Sequence, residues 1–213
     1  MKQITSNSPG LAWKKLIKEV IKNGNHAKDG NINLLECLNI LITIKNPTHT
    51  DSVIRKHSEE KMLNWMKNNF LTLEPVENWG YSYGQRILNY QGINQFNEIV
   101  KKFKKNIQTK SATVTLSYPP GDMHHSPCVN IIDFKFRNNR LNATVFMRSQ
   151  DAGKKTYADI ICLGIIQKNL AEELQVELGE LTIHIASLHI YETDLNDLEN
   201  KFPEFFLNQL KNE

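Results

Sequence analysis

The 213-residue sequence is poor in cysteine, in long apolar runs and in excess charge, and each scarcity removes a class of protein. Its three cysteines, Cys37, Cys128 and Cys162, are odd in number and far apart, and no two form a CxxC pair. That pattern argues against a disulfide framework and a structural zinc site, and it suits reduced thiols in a cytoplasmic protein. No stretch of about 18 uninterrupted apolar residues occurs, and the first residues lack the apolar core of a secretory signal. A soluble protein with no membrane partner is expected, in which the glycosylation acceptor Asn142-Ala143-Thr144 goes unused. The net charge of +3, from 26 basic and 23 acidic residues, is too small to imply a nucleic-acid surface. A small anionic substrate is compatible with it.

What is present points to one domain over residues 1–213, because 40% of the chain is hydrophobic and can bury a single substantial core. Leu11, Trp13, Leu16, Val20 and Ile21 recur at helical spacing before Gly24, which predicts a helix over 11–23. Residues 32–44, β-branched and apolar up to Asn46-Pro47, read as a buried strand. Ser58 followed by Glu59 and Glu60 opens a helix to about residue 69, and 93–107 forms an amphipathic helix with a lysine-rich outer face. Residues 112–118 alternate as a strand turned by Pro119-Pro120-Gly121. Residues 129–136 and 141–147 make a hairpin about a polar Arg-Asn-Asn-Arg turn. A long buried helix is expected over 156–178, ended by Gly179, then a strand over 181–191 and a last helix over 195–210. Helices and strands mixed without βαβ alternation indicate an α+β fold.

Chemistry concentrates in four short segments at strand edges or turns. These are Tyr81-Ser82-Tyr83-Gly84-Gln85-Arg86, Ser126-Pro127-Cys128, Arg148-Ser149-Gln150-Asp151 and His189-Ile190-Tyr191. A lone cysteine beside a strand is usually structural, but the order and spacing of the four change that reading.

From about residue 78 to residue 194 these segments together resemble the thymidylate synthase superfamily, most closely its short archaeal-type branch. The family's Pro-Cys pair is matched by Pro127-Cys128, its Arg-Ser-x-Asp by Arg148 to Asp151, its Tyr-Gly by Tyr83-Gly84 and its His-x-Tyr by His189 to Tyr191. The resemblance implies a mixed sheet flanked by helices, a homodimer formed by sheet faces, and methylenetetrahydrofolate as donor of a one-carbon unit to carbon 5 of a pyrimidine nucleoside monophosphate. It makes Cys128 the nucleophile. Thiolate addition at carbon 6 renders carbon 5 nucleophilic, and a guanidinium beside a thiol favours the ionised form, a task that falls to Arg148. By the same resemblance, Arg148 and Ser149 hold phosphate, His189 and Tyr191 orient the sugar hydroxyl, Asp151 contacts the pterin, and Tyr83 assists proton removal from carbon 5.

One departure selects the base. In thymidylate synthases an Asn eight residues after the motif's Asp contacts the pyrimidine edge, and eight residues after Asp151 stands Asp159. Uracil offers a donor at N3 and an acceptor at O4, which an amide matches; cytosine offers an acceptor at N3 and a donor at N4, which a carboxyl sharing one proton with N3 matches. Asp at this place is the mark of cytidylate hydroxymethylases, in which water captures the methylene intermediate. The expected activity is therefore a (d)CMP 5-hydroxymethyltransferase, with thymidylate synthesis from dUMP and a catalytically silent nucleotide-binding relative as the alternatives.

Other departures follow from the same resemblance. The His after the nucleophile is Val129, the Gln before Arg-Ser is Met147, and the paired arginines given by a partner subunit become Lys110-Ser111, so that Lys110 acts in trans with Arg55 or Arg86 completing the phosphate site. The catalytic glutamate falls on Glu60 or Glu59. Only 22 residues follow Tyr191, which leaves the folate lid of longer relatives open to question.

Overall fold

The computed structural model describes residues 1–77, 79–122 and 125–207. Its centre is an eight-stranded mixed sheet built from β1 (Lys2–Ser6), β2 (Asn25–Asp29), β3 (Ile32–Ile44), β4 (Ala112–Thr115), β5 (Val129–Arg137), β6 (Arg140–Met147), β7 (Gln150–Asp151) and β8 (Glu177–Tyr191). The path runs β1-β3-β8-β6-β5-β4, while β2 pairs with β3 and the short β7 with β8. β1 lies parallel to β3, and β6 and β7 lie parallel to β8; the other pairs are antiparallel.

The helices are α1 (Pro9–Asn23), α2 (Ser52–His57), α3 (Glu60–Leu71), α4 (Tyr83–Leu88), α5 (Gln95–Lys105), α6 (Thr156–Glu173) and α7 (Leu195–Lys201). Pro9 starts α1 because its fixed φ suits the first helical position, and Ala12, Trp13, Leu16, Ile17, Val20 and Ile21 are buried against the sheet and α6. Each fully buried Leu or Ile of that face contributes about 1.5–3 kcal/mol of hydrophobic stabilisation. Trp13 also donates its indole N–H to Ala152 O at 2.8 Å, which ties α1 to the chain just beyond β7.

The expected strand over 32–44 coincides with β3, and the Arg-Asn-Asn-Arg turn is a tight hairpin: Asn138 and Asn139 sit at φ 53° and 60°, the pair of positive values that a type I′ turn needs. Several boundaries differ from the sequence expectation. The long helix ends at Glu173, five residues early, because Gln175 at φ 55° turns the chain into β8. Gly179 lies inside β8 instead of ending the helix, where a Cβ would come within 2.8 Å of Leu141 O. Ser58 closes the short α2, whose start Asp51 caps by accepting the N–H of Val53 and Ile54, so the next helix begins at Glu60. The strand over 112–118 regularly pairs only to Thr115, and the last helix stops at Lys201 ahead of Pro203, its expected end at residue 210 lying outside the described residues. No helix among the described residues is long and apolar enough to cross a membrane.

Candidate active site

The site gathers where strand ends meet. Cys128 directly precedes β5 and Arg148 directly follows β6, so the hairpin register Val129↔Met147 sets them side by side, with Arg148 N–H donating to Cys128 O at 2.9 Å. β7 then runs parallel to β8, pairing Gln150 with Leu188 and Asp151 with His189. Along β8 the side chains of Ser187, His189 and Tyr191 share one face by the two-residue period of a strand. Between these ends, α3, α4 and the start of α6 lies a cavity of about 560 Å³, within the range of small-ligand sites. Cys128, Tyr83, Arg148, Ser149, Asp151, Asp159, His189 and Tyr191 all line it.

Cys128 is half-buried, with its Sγ 3.4 Å from Ser149 Oγ. The Tyr83 phenol oxygen accepts the N–H of Cys128 at 3.1 Å, and burial, followed by the nearby Cys128, holds its pKa well above the ordinary phenol value. Tyr83 is therefore a neutral phenol fixed beside the thiol. Arg148 spends Nε on Pro127 O at 3.1 Å and another guanidinium nitrogen on Ser126 O at 2.7 Å, while a third N–H meets Ser149 Oγ at 3.3 Å. The exposed guanidinium thus clamps the residues before Cys128.

Asp159 sits in the first turn of α6, 6% exposed, and lines the same cavity as the thiol. Burial is the main cause that pushes its carboxyl up to about 7; Gln150, donating Nε2 to Oδ2 at 2.8 Å, and Lys155 oppose that rise. A carboxyl of this kind carries a proton for much of the neutral range. Burial likewise raises Asp151 and lowers His189, which keeps the imidazole neutral. The rings of His189 and Tyr191 meet edge to face at 5.0 Å.

Five residues singled out in the sequence are not brought to the cavity. Glu60 is exposed in the first turn of α3, while Glu59, also exposed, pairs with Lys201 at 3.0 Å. Lys110 is exposed between α5 and β4, and Arg55 is exposed on α2. Arg86 is buried elsewhere: it pairs with Asp122 at 2.5 Å, donates to Leu116 O and lies 3.6 Å over the Tyr81 ring. Asp122 in turn accepts Tyr118 N–H at 2.6 Å, so the pair pins the Pro119-Pro120-Gly121 turn. Arg86→Ala strands a buried carboxylate and should cost about 3–5 kcal/mol, read as a lowered denaturation midpoint in urea.

Other lining residues had no assigned role. Gln150 stood within a motif but at its variable position; Lys28, Lys155, Trp79 and His125 carried no motif at all, since only the fold places them on the wall. Trp79 stacks on His125 with ring centres 4.6 Å apart and planes 22° from parallel, which gives the cavity a flat aromatic wall.

A thiol, a neutral phenol and a protonatable buried acid converging on one polar cavity make an enzyme site for a small polar substrate. Comparison with known proteins narrows the class. The sequence model of the family described as thymidylate synthase matches residues 13–205, and this chain belongs to that family. Proteins named "Putative thymidylate synthase" are similar along most of their length: one from Methanothermobacter thermautotrophicus is 28% identical over 92% of this chain and 96% of its own. Another, from Methanosarcina mazei, is 28% identical over 89% of both, and one from Methanocaldococcus jannaschii is 28% identical over 94% and 96%.

The chain is thus a one-carbon transferase of a family that binds a nucleoside monophosphate and takes its carbon from methylenetetrahydrofolate. The cavity residues fit a folate. The stacked Trp79 and His125 offer a wall for a flat pterin, and Asp151, whose Oδ1 accepts the N–H of Gly153 and Lys154, keeps Oδ2 without a partner among the described residues.

Proposed function

We propose that the protein is a (d)CMP 5-hydroxymethyltransferase. The observation that carries this reading is Asp159: a buried carboxyl, pushed up to about 7, lining the cavity that Cys128 also lines. Its protonated form offers a donor and an acceptor side by side, as the N3 and N4 edge of cytosine requires. Asp151 and the Trp79–His125 wall would hold methylenetetrahydrofolate, which when bound supplies the one-carbon unit.

In this reading the Cys128 thiolate adds to carbon 6 of cytosine, and the electron pair gained makes carbon 5 a nucleophile. Asp159 holds the proton shared with N3, which stabilises the electron-rich ring. Arg148 and Ser149 bind phosphate, with Lys28 and Lys155 the further cations on the wall, and His189 and Tyr191 hold the sugar. With carbon 5 joined to the one-carbon unit, Tyr83 would assist departure of the carbon 5 proton, and the electron pair so released would expel tetrahydrofolate and leave an exocyclic methylene. Water adds to the new exocyclic carbon as the thiolate leaves, giving the hydroxymethyl group.

We infer a cytoplasmic homodimer joined through the sheet face that carries Leu38, Ile131 and Phe146, which are 63%, 41% and 38% exposed. Lys110, remote from its own cavity, then serves the partner's phosphate site. The product assay is direct: incubated with methylenetetrahydrofolate, dCMP or CMP should gain the mass of a hydroxymethyl group. A methyl gain on dUMP with formation of dihydrofolate, and none on the cytidylates, would favour thymidylate synthesis instead.

A further inference from the structure

We propose that Gln150 is a specificity-determining positioning residue, whose side-chain amide fixes which oxygen of Asp159 carries the proton and thereby which base edge the site accepts. The inference rests on the reading of Asp159 given above and deepens it. A carboxylic acid is ambiguous by itself: with the hydroxyl on one oxygen it presents acceptor then donor, and with the hydroxyl on the other, donor then acceptor. The first order fits the amino group and bare N3 of cytosine, and the second fits O4 and the N3–H of uracil. Once Cys128 and the phosphate site fix the ring, only one order can be read.

Gln150 removes the ambiguity. Its Nε2 donates to Asp159 Oδ2 at 2.8 Å, and an oxygen that receives an N–H is the poorer place for a proton. The proton therefore resides on Oδ1, which donates to N3, while Oδ2 accepts from the amino group. Gln150 is 3% exposed and held by β7, whose pairing with Leu188 of β8 gives the amide a fixed base. Both side chains line the same cavity. The ionisable groups around Asp159 are Asp151 from β7, Lys155 before α6, Tyr83 from α4, Cys128 before β5 and Cys162 further along α6. From α3, Met66 lines the cavity and Lys67 acts on Cys162. Of these groups only Lys155 opposes the burial of Asp159, and it does so through space, so it carries no information about which oxygen holds the proton.

The test compares kcat/KM for dCMP and dUMP between pH 5.5 and 9 in the full-length protein and in Gln150→Met, which keeps the volume and removes the donor. The preference for dCMP should fall roughly 10- to 100-fold, and the alkaline limb of the dCMP profile should move to higher pH, because the bond that favours the carboxylate is gone. In an Asp159→Asn background the same substitution should change the preference less than about twofold, since the residue acts through Asp159. Gln150→Glu, polar and of equal size, should retain the preference at acid pH and lose it at alkaline pH. It also provides the measurement should Gln150→Met not fold. An unchanged ratio and profile, or equal losses in both backgrounds, would overturn the role of Gln150 while dCMP remained the wild-type substrate. A wild-type enzyme that acts on dUMP and not dCMP would overturn the base assignment itself.

Discussion

Cys128→Ala is expected to release no tritium from [5-³H]dCMP above background, a loss of about 10⁴-fold or more, because without the sulfur no electron pair reaches carbon 5. The replacement is mild for the fold. Cys128 is only half-buried, its backbone N–H still reaches Tyr83, and the Arg148 clamp acts on carbonyls. The variant should therefore keep its thermal midpoint within a few degrees and still bind dCMP in equilibrium dialysis. Cys37 and Cys162 give the contrast: both are buried, and burial raises each thiol, Cys162 far beyond the neutral range. Their alanine variants should retain exchange. Exchange that survives in Cys128→Ala would remove the covalent step.

Asp159→Asn should invert the choice of base. With the Gln150 amide turned over so that its oxygen accepts from the substituted side chain, the new amide presents its acceptor to N3–H and its donor to O4, so cytosine then meets two mismatched groups at roughly 1–3 kcal/mol each. The ratio of kcat/KM for dCMP over dUMP should fall by about 10²–10⁴. Stability supplies an independent readout. The folded pKa of Asp159 is raised to about 7 from an ordinary 3.8, so the stability linked to its proton is complete below pH 3.8 and declines as pH rises to 7. The decline amounts to about 4 kcal/mol, an upper figure given water penetration, and asparagine does not incur it. The variant should thus gain thermal stability over the wild type at pH 8 and not at pH 4. A variant that still prefers dCMP at every pH would detach Asp159 from base recognition.

Most of the secondary structure was legible because the elements that matter carry strong local signals. β3 is a β-branched run with a proline just past its end, and the β5–β6 hairpin is announced by paired asparagines. The errors lie where tertiary demands act. α6 breaks early because β8 must lie parallel to β6, and β2 and β7 are too short and polar to declare themselves. At the site, residues within motifs fall together, since each motif occupies a strand end or a helix start. Arg86 stands in a motif-bearing segment, yet its guanidinium is taken up by Asp122 and by Leu116 O, partners too far along the chain for the local pattern to name. Trp79, His125 and Lys155 were invisible because nothing but chain reversal brings them to the wall.

The two asparagines at the tip of β5 and β6 acquire an importance out of proportion to their distance. Nine residues of β5, roughly 30 Å of chain, separate that tip from the thiol. The ladder between them transmits alignment as a zip does, so the tip decides which tooth faces which at the far end. A single-residue insertion there would present Met147 where Arg148 now stands, and the reaction centre would lose its guanidinium without any change in its own sequence.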